Sequence, residues 1–221
     1  MERIIQLLIS SFWPLMKAGL KMTVPLTLVS FALGMILAFV TAMCRISKNK
    51  LLSKTAQFYV WVIRGTPMIV QLFVIFYGLP KVGIMFSPIV SAIIGLTISE
   101  GAYDSEIIRA ALTSIPKGQW EACHALGMSK FQTLSNVIIP QAALIAVPSL
   151  GNMFISLVKD TSLTAILTVR EVFQIVAVTF EPLWIYLEVG VIYLIYSTVL
   201  SQLQGVLERK LGKHMLVKDE K

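Results

Sequence analysis

The chain has 221 residues, of which 56% are hydrophobic and only 14% are charged, and its formal net charge is +7. A soluble domain usually carries about 25% charged residues, so the composition excludes an ordinary soluble protein and predicts an all-α integral membrane protein. The basic residues cluster in loops beside apolar runs, which is typical of cytoplasmic membrane loops and argues against a nucleic-acid partner.

Five stretches are apolar enough to cross a membrane, at about 20 residues for each crossing. In chain order they cover residues 20–43, 57–79, 84–108, 137–158 and 182–203. The densest basic segment, from Arg45 to Lys54, follows the first span, and Arg209, Lys210 and Lys213 follow the last one. Because basic loops stay in the cytoplasm, we predict one membrane domain, residues 1–221, with its N-terminus outside and its C-terminus in the cytoplasm.

Two segments depart from a simple series of straight spans. In the second span, Pro67 predicts a kink, because proline removes a backbone hydrogen bond and disfavours helix at the preceding residue. Residues 160–181 hold two apolar pieces separated by Arg170 and Glu171. A complete span there would place the basic C-terminus outside, so we predict a re-entrant segment before the last span, of the kind that lines a cavity.

Residues 109–136 form the longest polar interval, which we predict to be a cytoplasmic loop of two short helices with a hinge. Pro116 suits the first turn of a helix, and Gly127 suits a helix end that requires a left-handed backbone. Ser129 and Gln132 have the spacing of a capping box, which would begin the second helix. The alternative interpretations are an ordinary connecting loop and a unit that docks on a partner.

The same loop carries a recognisable signature. Glu121-Ala122-Cys123, Gly127 after three residues, and Val137-Ile138-Ile139-Pro140 after nine more resemble the "EAA" motif of permease subunits in binding-protein-dependent ABC importers. Cys123 replaces the second alanine of that motif, and Val137 and Ile139 are apolar replacements. Further motifs resemble the polar amino-acid branch of the family: Arg64-Gly65-Thr66-Pro67, Tyr77-Gly78-Leu79-Pro80, Lys117-Gly118-Gln119-Trp120 and Lys159-Asp160-Thr161-Ser162-Leu163.

This resemblance implies a type I ABC importer fold in a bacterial cytoplasmic membrane. It implies a homodimer or a heterodimer with a related permease, two cytoplasmic ATPase subunits that hold ATP and Mg, and an extracytoplasmic solute-binding protein. The residues that would contact the ATPase are Glu121, Ala122, Cys123, Ala125, Gly127 and Pro140. The substrate would be a polar amino acid. Several segments resemble L-cystine permeases in particular, and glutamine, arginine and histidine are the alternatives.

Ionisable residues inside a span are costly, so they mark either a substrate pathway or a structural ion pair. The pathway candidates are Glu100, Asp160, Gln71, Asn152 and Thr161, with Asp104 one turn beyond Glu100. Pairing of these carboxylates with Arg64 or Lys159 is the alternative. Glu106 and Arg109 stand three residues apart, where helical ion pairs form, so we predict a structural pair there.

The motifs that are missing narrow the function further. No G-x-x-x-x-G-K-[ST] loop occurs, so the chain itself is not expected to bind a nucleotide or to be an enzyme. Cys44 and Cys123 stand far apart, and we expect neither a disulfide nor a metal site. Five spans are few for a secondary transporter built from two halves, so two copies would enclose the path. The alternatives from other classes are a small oligomeric channel and a membrane scaffold.

Overall fold

The computed structural model describes residues 2–167 and 182–216. Within these two ranges every regular element is helical, and the all-α membrane prediction is confirmed. The helices are α1 (Glu2–Ile46), α2 (Lys50–Arg64), α3 (Met68–Val82), α4 (Pro88–Ser114), α5 (Lys117–Ala125), α6 (Lys130–Leu167) and α7 (Pro182–Leu216). Single π-helical turns occur in α1 at Gly19–Thr23, in α3 at Val74–Gly78 and in α6 at Leu134–Ile138.

Three helices in the described part of the chain, α1, α6 and α7, are long and apolar enough to cross a membrane. They contain the predicted spans 20–43, 137–158 and 182–203. The pair α2 and α3 passes the same test as one bent unit, which raises the number to four. The predicted total of five stays a prediction, because the remaining span lies on the more polar helix α4.

The kink predicted in the second span is present as a complete break between two helices. The axes of α2 and α3 differ by 103° across a break at residues 65–67. Pro67 is extended at the start of α3, with ψ of 138°, as expected for a residue that ends one helix and begins another. Residues 57–64 and 68–79 therefore lie on helices that point in different directions, and one span over residues 57–79 stays a prediction, because the two helices are long and apolar enough for one crossing only when they are taken together.

Helix α4 lies at the centre of the bundle and corresponds to the predicted span 84–108. It begins at Pro88, after Ser87 accepts a hydrogen bond from the Val90 N–H at 3.4 Å. Its polarity is shielded by α1, because small residues allow the two backbones to approach closely. A Cβ atom built on Gly34 would lie 2.7 Å from the Cβ of Glu100.

The apolar core has a cluster toward each end of this central helix. Near the α4–α5 junction, Ala38 and Ala42 of α1 pack with Leu112 of α4 and Ile138 of α6. Toward the start of α4, the buried residues are Leu26, Leu72, Ala92, Leu96, Leu157 and Leu167. These clusters bring α1, α3, α4 and α6 together, so residues distant in sequence meet around α4.

Helix α7 packs on the first half of α1 through Leu15 and Ile192. A polar contact lies in the same interface, where the Ser11 hydroxyl donates to Glu188 Oε2 at 2.5 Å. The Tyr196 hydroxyl donates to the carbonyl oxygen of Met16 at 2.9 Å. Sequence reasoning did not single out Glu188, although a lone carboxylate in an apolar span is a signal for a buried polar contact.

The predicted re-entrant segment begins where α6 ends. Residues Thr161–Leu167 form a 3₁₀ extension of α6. Residues 168–181 lie outside the described residues, so the rest of this prediction stays untested.

Candidate functional site: an exposed helical loop and a polar bundle interior

The loop predicted at residues 109–136 is built differently from two short helices on a linker. Residues 109–114 complete α4, and α5 covers Lys117–Ala125. The second helix begins at Lys130 and continues without interruption into the apolar part of α6. Only α5 and the hinge after it are therefore separate from the long helices α4 and α6, so the prediction of a short second helix is wrong, and the loop boundary at residue 136 stays a prediction.

The hinge between α5 and α6 has the left-handed glycine that the sequence predicted. Gly127 has φ of +70°, the left-handed conformation that favours glycine. Its N–H donates to the His124 carbonyl oxygen, and the Met128 N–H donates to the Cys123 carbonyl oxygen, each at 3.0 Å. These two bonds satisfy the carbonyl groups at the end of α5 in the pattern of a Schellman motif.

The start of α6 is capped as predicted. The Ser129 hydroxyl accepts a hydrogen bond from the Gln132 N–H at 3.3 Å, and the Gln132 side chain accepts one from the Ser129 N–H at 2.9 Å. This capping box satisfies N–H groups that a helix start otherwise leaves free. Because both sides of the hinge are closed by local hydrogen bonds, the angle between α5 and α6 is defined by the residues of the hinge itself.

Most residues of the EAA motif face outward. The exposed members are Glu121, Ala122, Ala125, Gly127 and Pro140, whereas Cys123 is buried. Cys123 therefore packs on the inner side of α5 and is not part of the outer surface. The Gln141 amide of α6 donates to Gln119 Oε1 of α5 at 3.4 Å and links the two helices.

Two large apolar side chains stand out of this loop, and sequence reasoning did not select them. Leu126 is 80% exposed at the end of α5, and Phe131 is 79% exposed in the first turn of α6. Trp120 is partly exposed nearby in the chain. Apolar residues within a polar interval are the signal that would have found them, because an exposed apolar patch marks an interaction surface.

The predicted pathway residues occupy different environments. Glu100 is 3% exposed on α4, and the carboxylates of Asp104 and Asp160 are near enough to repel its own electrostatically. Glu100 Oε2 and both carboxylate oxygens of Asp104 are buried without a hydrogen-bond partner among the described residues. Asp160 is exposed at the end of the α-helical part of α6. The fold therefore brings Glu100 and Asp160 into one region.

The other three pathway candidates make local structural contacts. The Gln71 amide donates to the carbonyl oxygens of Ile63 at 2.8 Å and Thr66 at 3.1 Å, across the break between α2 and α3. Asn152 accepts a hydrogen bond from Gln204 of α7 at 3.3 Å. Thr161 is buried, and its hydroxyl donates to the Val158 carbonyl oxygen. Their assignment to a pathway stays a prediction.

Glu106 and Arg109 lie together on α4, with Arg109 Nη2 at 3.0 Å from Glu106 Oε2. Two further guanidinium groups reach the other carboxylate oxygen: Arg45 Nη1 of α1 at 2.5 Å and Arg64 Nη1 of α2 at 3.4 Å. The sequence indicated only the local pair. The other two arginines come from distant parts of the chain, and only the packing of α1 and α2 on α4 brings them to Glu106.

Together these features describe a helical membrane protein with an exposed, partly apolar surface at one end of its bundle. This surface, the knuckle, consists of α5, Gly127 and the first turn of α6. Residues 21–213 match the family described as "Binding-protein-dependent transport system inner membrane component", and the chain belongs to that family. It is therefore a multi-pass inner-membrane component of a transport system and not an enzyme.

Individual relatives point to one class of transport system. The chain is 47% identical over 210 residues to the L-cystine transport system permease protein TcyB of Bacillus subtilis (strain 168), covering 93% of this chain and 90% of that protein. It is 36% identical to the glutamine transport system permease protein GlnP of Escherichia coli (strain K12), covering 91% of this chain and 96% of that one. A crystal structure described as an amino acid ABC transporter with histidines superposes with a TM-score of 0.84 at 32% identity, covering 91% of this chain and 96% of that one.

Proposed function

We propose that the chain is the permease subunit of an ATP-driven amino-acid importer and that L-cystine is its leading substrate. The observation that carries the substrate is the 47% identity to an L-cystine transport system permease along 93% of this chain. Glutamine, which the name of another relative mentions, is the second candidate. Arginine and histidine remain candidate substrates because Glu100 and Asp160 give the bundle a negative region suited to a cationic ligand.

The proposed assembly has two permease chains, identical or related, around one path. A single bundle of four or five crossings is small for a complete transporter, and two-fold symmetry is the commonest arrangement of oligomers. Two cytoplasmic ATPase subunits would bind ATP and Mg, and an extracytoplasmic protein would deliver the amino acid. In this arrangement α5 and the C-terminus face the cytoplasm, and the N-terminus lies outside.

The knuckle formed by α5, Gly127 and the first turn of α6 is the proposed coupling element. Its exposed apolar residues, Leu126 and Phe131, would enter a cleft on the ATPase, and Glu121 would contact the polar rim. Because α6 runs without interruption from this contact into the membrane, movement of the knuckle tilts the whole helix. Closure of the ATPase pair would favour an outward-open state, and hydrolysis would favour the inward-open one. Coupling of this kind needs two conformations whose equilibrium is shifted by ligand binding.

A small oligomeric channel and a membrane scaffold are the alternatives from other classes. A channel would conduct amino acids without ATP, whereas a scaffold would bind partners without moving a solute. The exposed knuckle favours a partner-driven transporter, because a channel has no use for such a surface. An ATPase that co-purifies at equal stoichiometry would exclude the simple channel.

Competition uptake tests the substrate. We expect proteoliposomes that hold the purified complex, ATP and the binding protein to accumulate labelled L-cystine. Unlabelled L-cystine should suppress this signal more strongly than glutamine, arginine or histidine at equal concentration. Stronger suppression by one of those three would replace L-cystine as the substrate. Accumulation without ATP would exclude an ATP-driven importer.

Asp160 is a pathway residue that can be changed with little damage to the fold, because it is exposed. We expect Asp160→Asn to reduce uptake about tenfold, since a hydrogen bond to a charged group contributes about 1.5–3 kcal/mol. The adjacent exposed Lys159→Gln is the matched control and should retain uptake. Equal uptake by both variants would remove Asp160 from the pathway.

A further inference from the structure

The arginine cluster at the α5 end of the bundle holds more positive charge than its carboxylate neutralises. Arg45, Arg64 and Arg109 surround Glu106, and these three guanidinium groups and one carboxylate leave a net charge of +2. Glu106 Oε1 is shared by Arg45 and Arg64, and Oε2 is held by two nitrogens of Arg109. A carboxylate with both oxygens occupied is unavailable to an ammonium group, so the site selects anions.

Arg64 and Arg109 have N–H groups beyond those that contact Glu106. A guanidinium has five N–H donors, and Arg64 places only one nitrogen near Glu106 while its guanidinium lies 5.3 Å from the centre of the Tyr103 ring. The side chains of Arg64 and Arg109 are 43% and 36% exposed. Both therefore keep donors that face outward, whereas Arg45 lies deeper, at 14% exposure.

A cavity of about 500 Å³ adjoins these two arginines. Its charged side carries Arg64, Glu106 and Arg109, and its other walls are Ile107, Ala110, Ala111, Ile145 and Ala146 of α4 and α6, with Ser114 and Ser149. Ile145 is 47% exposed, so the apolar wall reaches the surface of the bundle. A cavity with guanidinium donors on one side and an apolar wall on the other matches an amphiphile with an anionic head.

Helix α2, which supplies Arg64, carries the features of an interfacial helix. Phe58 and Trp61 are 63% and 71% exposed, and their ring centres are 5.9 Å apart. Lys50 and Lys54 are exposed on the same helix. Aromatic rings and lysines on one exposed surface are typical of a helix that lies at the headgroup level of a membrane.

We propose that Arg64 and Arg109 form a binding site for a phosphate group, with an acyl chain accommodated along Ile107 and Ile145 when the phosphate belongs to an anionic phospholipid. Basic pockets between helices at the cytoplasmic side are suited to anionic headgroups. The location in the cytoplasmic leaflet rests on the proposed function, which places α5 in the cytoplasm. Phosphate binding itself depends only on the cluster and the cavity.

The test measures binding and requires no transport. The full-length chain, purified with the subunits that it retains, is titrated with phosphatidylglycerol in detergent and followed by native mass spectrometry. A parallel titration uses inorganic phosphate alone, and phosphatidylcholine serves as the zwitterionic comparison. We expect Arg64→Gln and Arg109→Gln each to weaken phosphatidylglycerol binding about fivefold, since one basic residue near an anionic headgroup contributes about this factor.

Lys81→Gln is the matched control, because Lys81 is an exposed basic residue at the end of α3 and lies outside the cavity. Each arginine variant leaves Glu106 with two other guanidinium partners, so the ion cluster is retained. Arginine-dependent binding of phosphatidylglycerol supports a lipid as the source, and arginine-dependent binding of inorganic phosphate alone supports a free anion. Equal binding by the arginine variants, or displacement of phosphatidylglycerol by the transported amino acid, would overturn the phosphate site. Absence of uptake by the unchanged complex, with arginine-dependent lipid binding retained, would count against the proposed function only.

Discussion

Replacing Gly127 with proline is expected to reduce uptake more than tenfold while leaving the membrane helices folded. Proline fixes φ near −65° and removes the backbone N–H. Gly127 has φ of +70°, and its N–H closes the end of α5 on the His124 carbonyl oxygen. The substitution is therefore incompatible with both the angle and the hydrogen bond, costs more than about 1 kcal/mol, and changes the direction of α5 against α6. The measurement is ATP-dependent uptake together with the amount of ATPase that co-purifies.

A graded pair of alanine variants separates the backbone effect from loss of folding. Among the described residues, no atom beyond the adjoining backbone lies within 4 Å of a Cβ built on Gly127 or on Gly118. Gly118→Ala should retain full uptake, because Gly118 lies in α5 and alanine favours a helix. Gly127→Ala should lose part of the uptake, because the left-handed conformation costs about 1–2 kcal/mol for an L-residue. Normal uptake and ATPase association in the proline variant would show that this hinge does not couple the two subunits.

Placing an aspartate at Leu126 or Phe131 is expected to release the ATPase subunit. Both side chains are about four-fifths exposed, so the substitutions remove little from the core of the permease. If the partner buries these side chains, each loses about 1.5–3 kcal/mol of apolar contact. That loss corresponds to an affinity for the ATPase that is about ten- to a hundredfold lower. The measurement is the Kd between the purified permease and the ATPase, with uptake as the second readout.

Val82→Asp provides the matched control for these two variants. Val82 is also strongly exposed, at 72%, and it lies at the end of α3, outside the knuckle. The control should bind the ATPase normally, because the change adds the same charge at a site away from the proposed contact. Unchanged affinity in Leu126→Asp and Phe131→Asp would place the ATPase contact elsewhere on the permease.

The local features of the knuckle were predictable because each depends on residues a few positions apart. A glycine at a helix end and a serine three residues before a glutamine specify their backbone through nearby hydrogen bonds. The same reasoning misjudged where the second helix ends. The polar first turns of α6 gave no sign that the helix continues into the apolar span.

The bend at residues 65–67 was also only partly predictable from the sequence. Pro67 predicts an interruption, whereas the 103° angle follows from packing. Leu72 of α3 is buried against α4, and the Tyr59 hydroxyl of α2 donates to the Ile98 carbonyl oxygen at 2.6 Å. A proline predicts where a helix stops, whereas the packing contacts of the two helices decide the direction of each.

The membrane class, the family signature and the helix caps were predictable from the residues, because composition, motif spacing and capping are properties of the chain alone. Which charges meet depends on how the helices pack. Arg45 and Arg64 join Glu106, and Ser11 joins Glu188, because α1, α2, α4 and α7 pack side by side. A buried charge needs a partner, but the partner comes from another helix, and helix packing is specified by the whole set of apolar surfaces and not by any one motif.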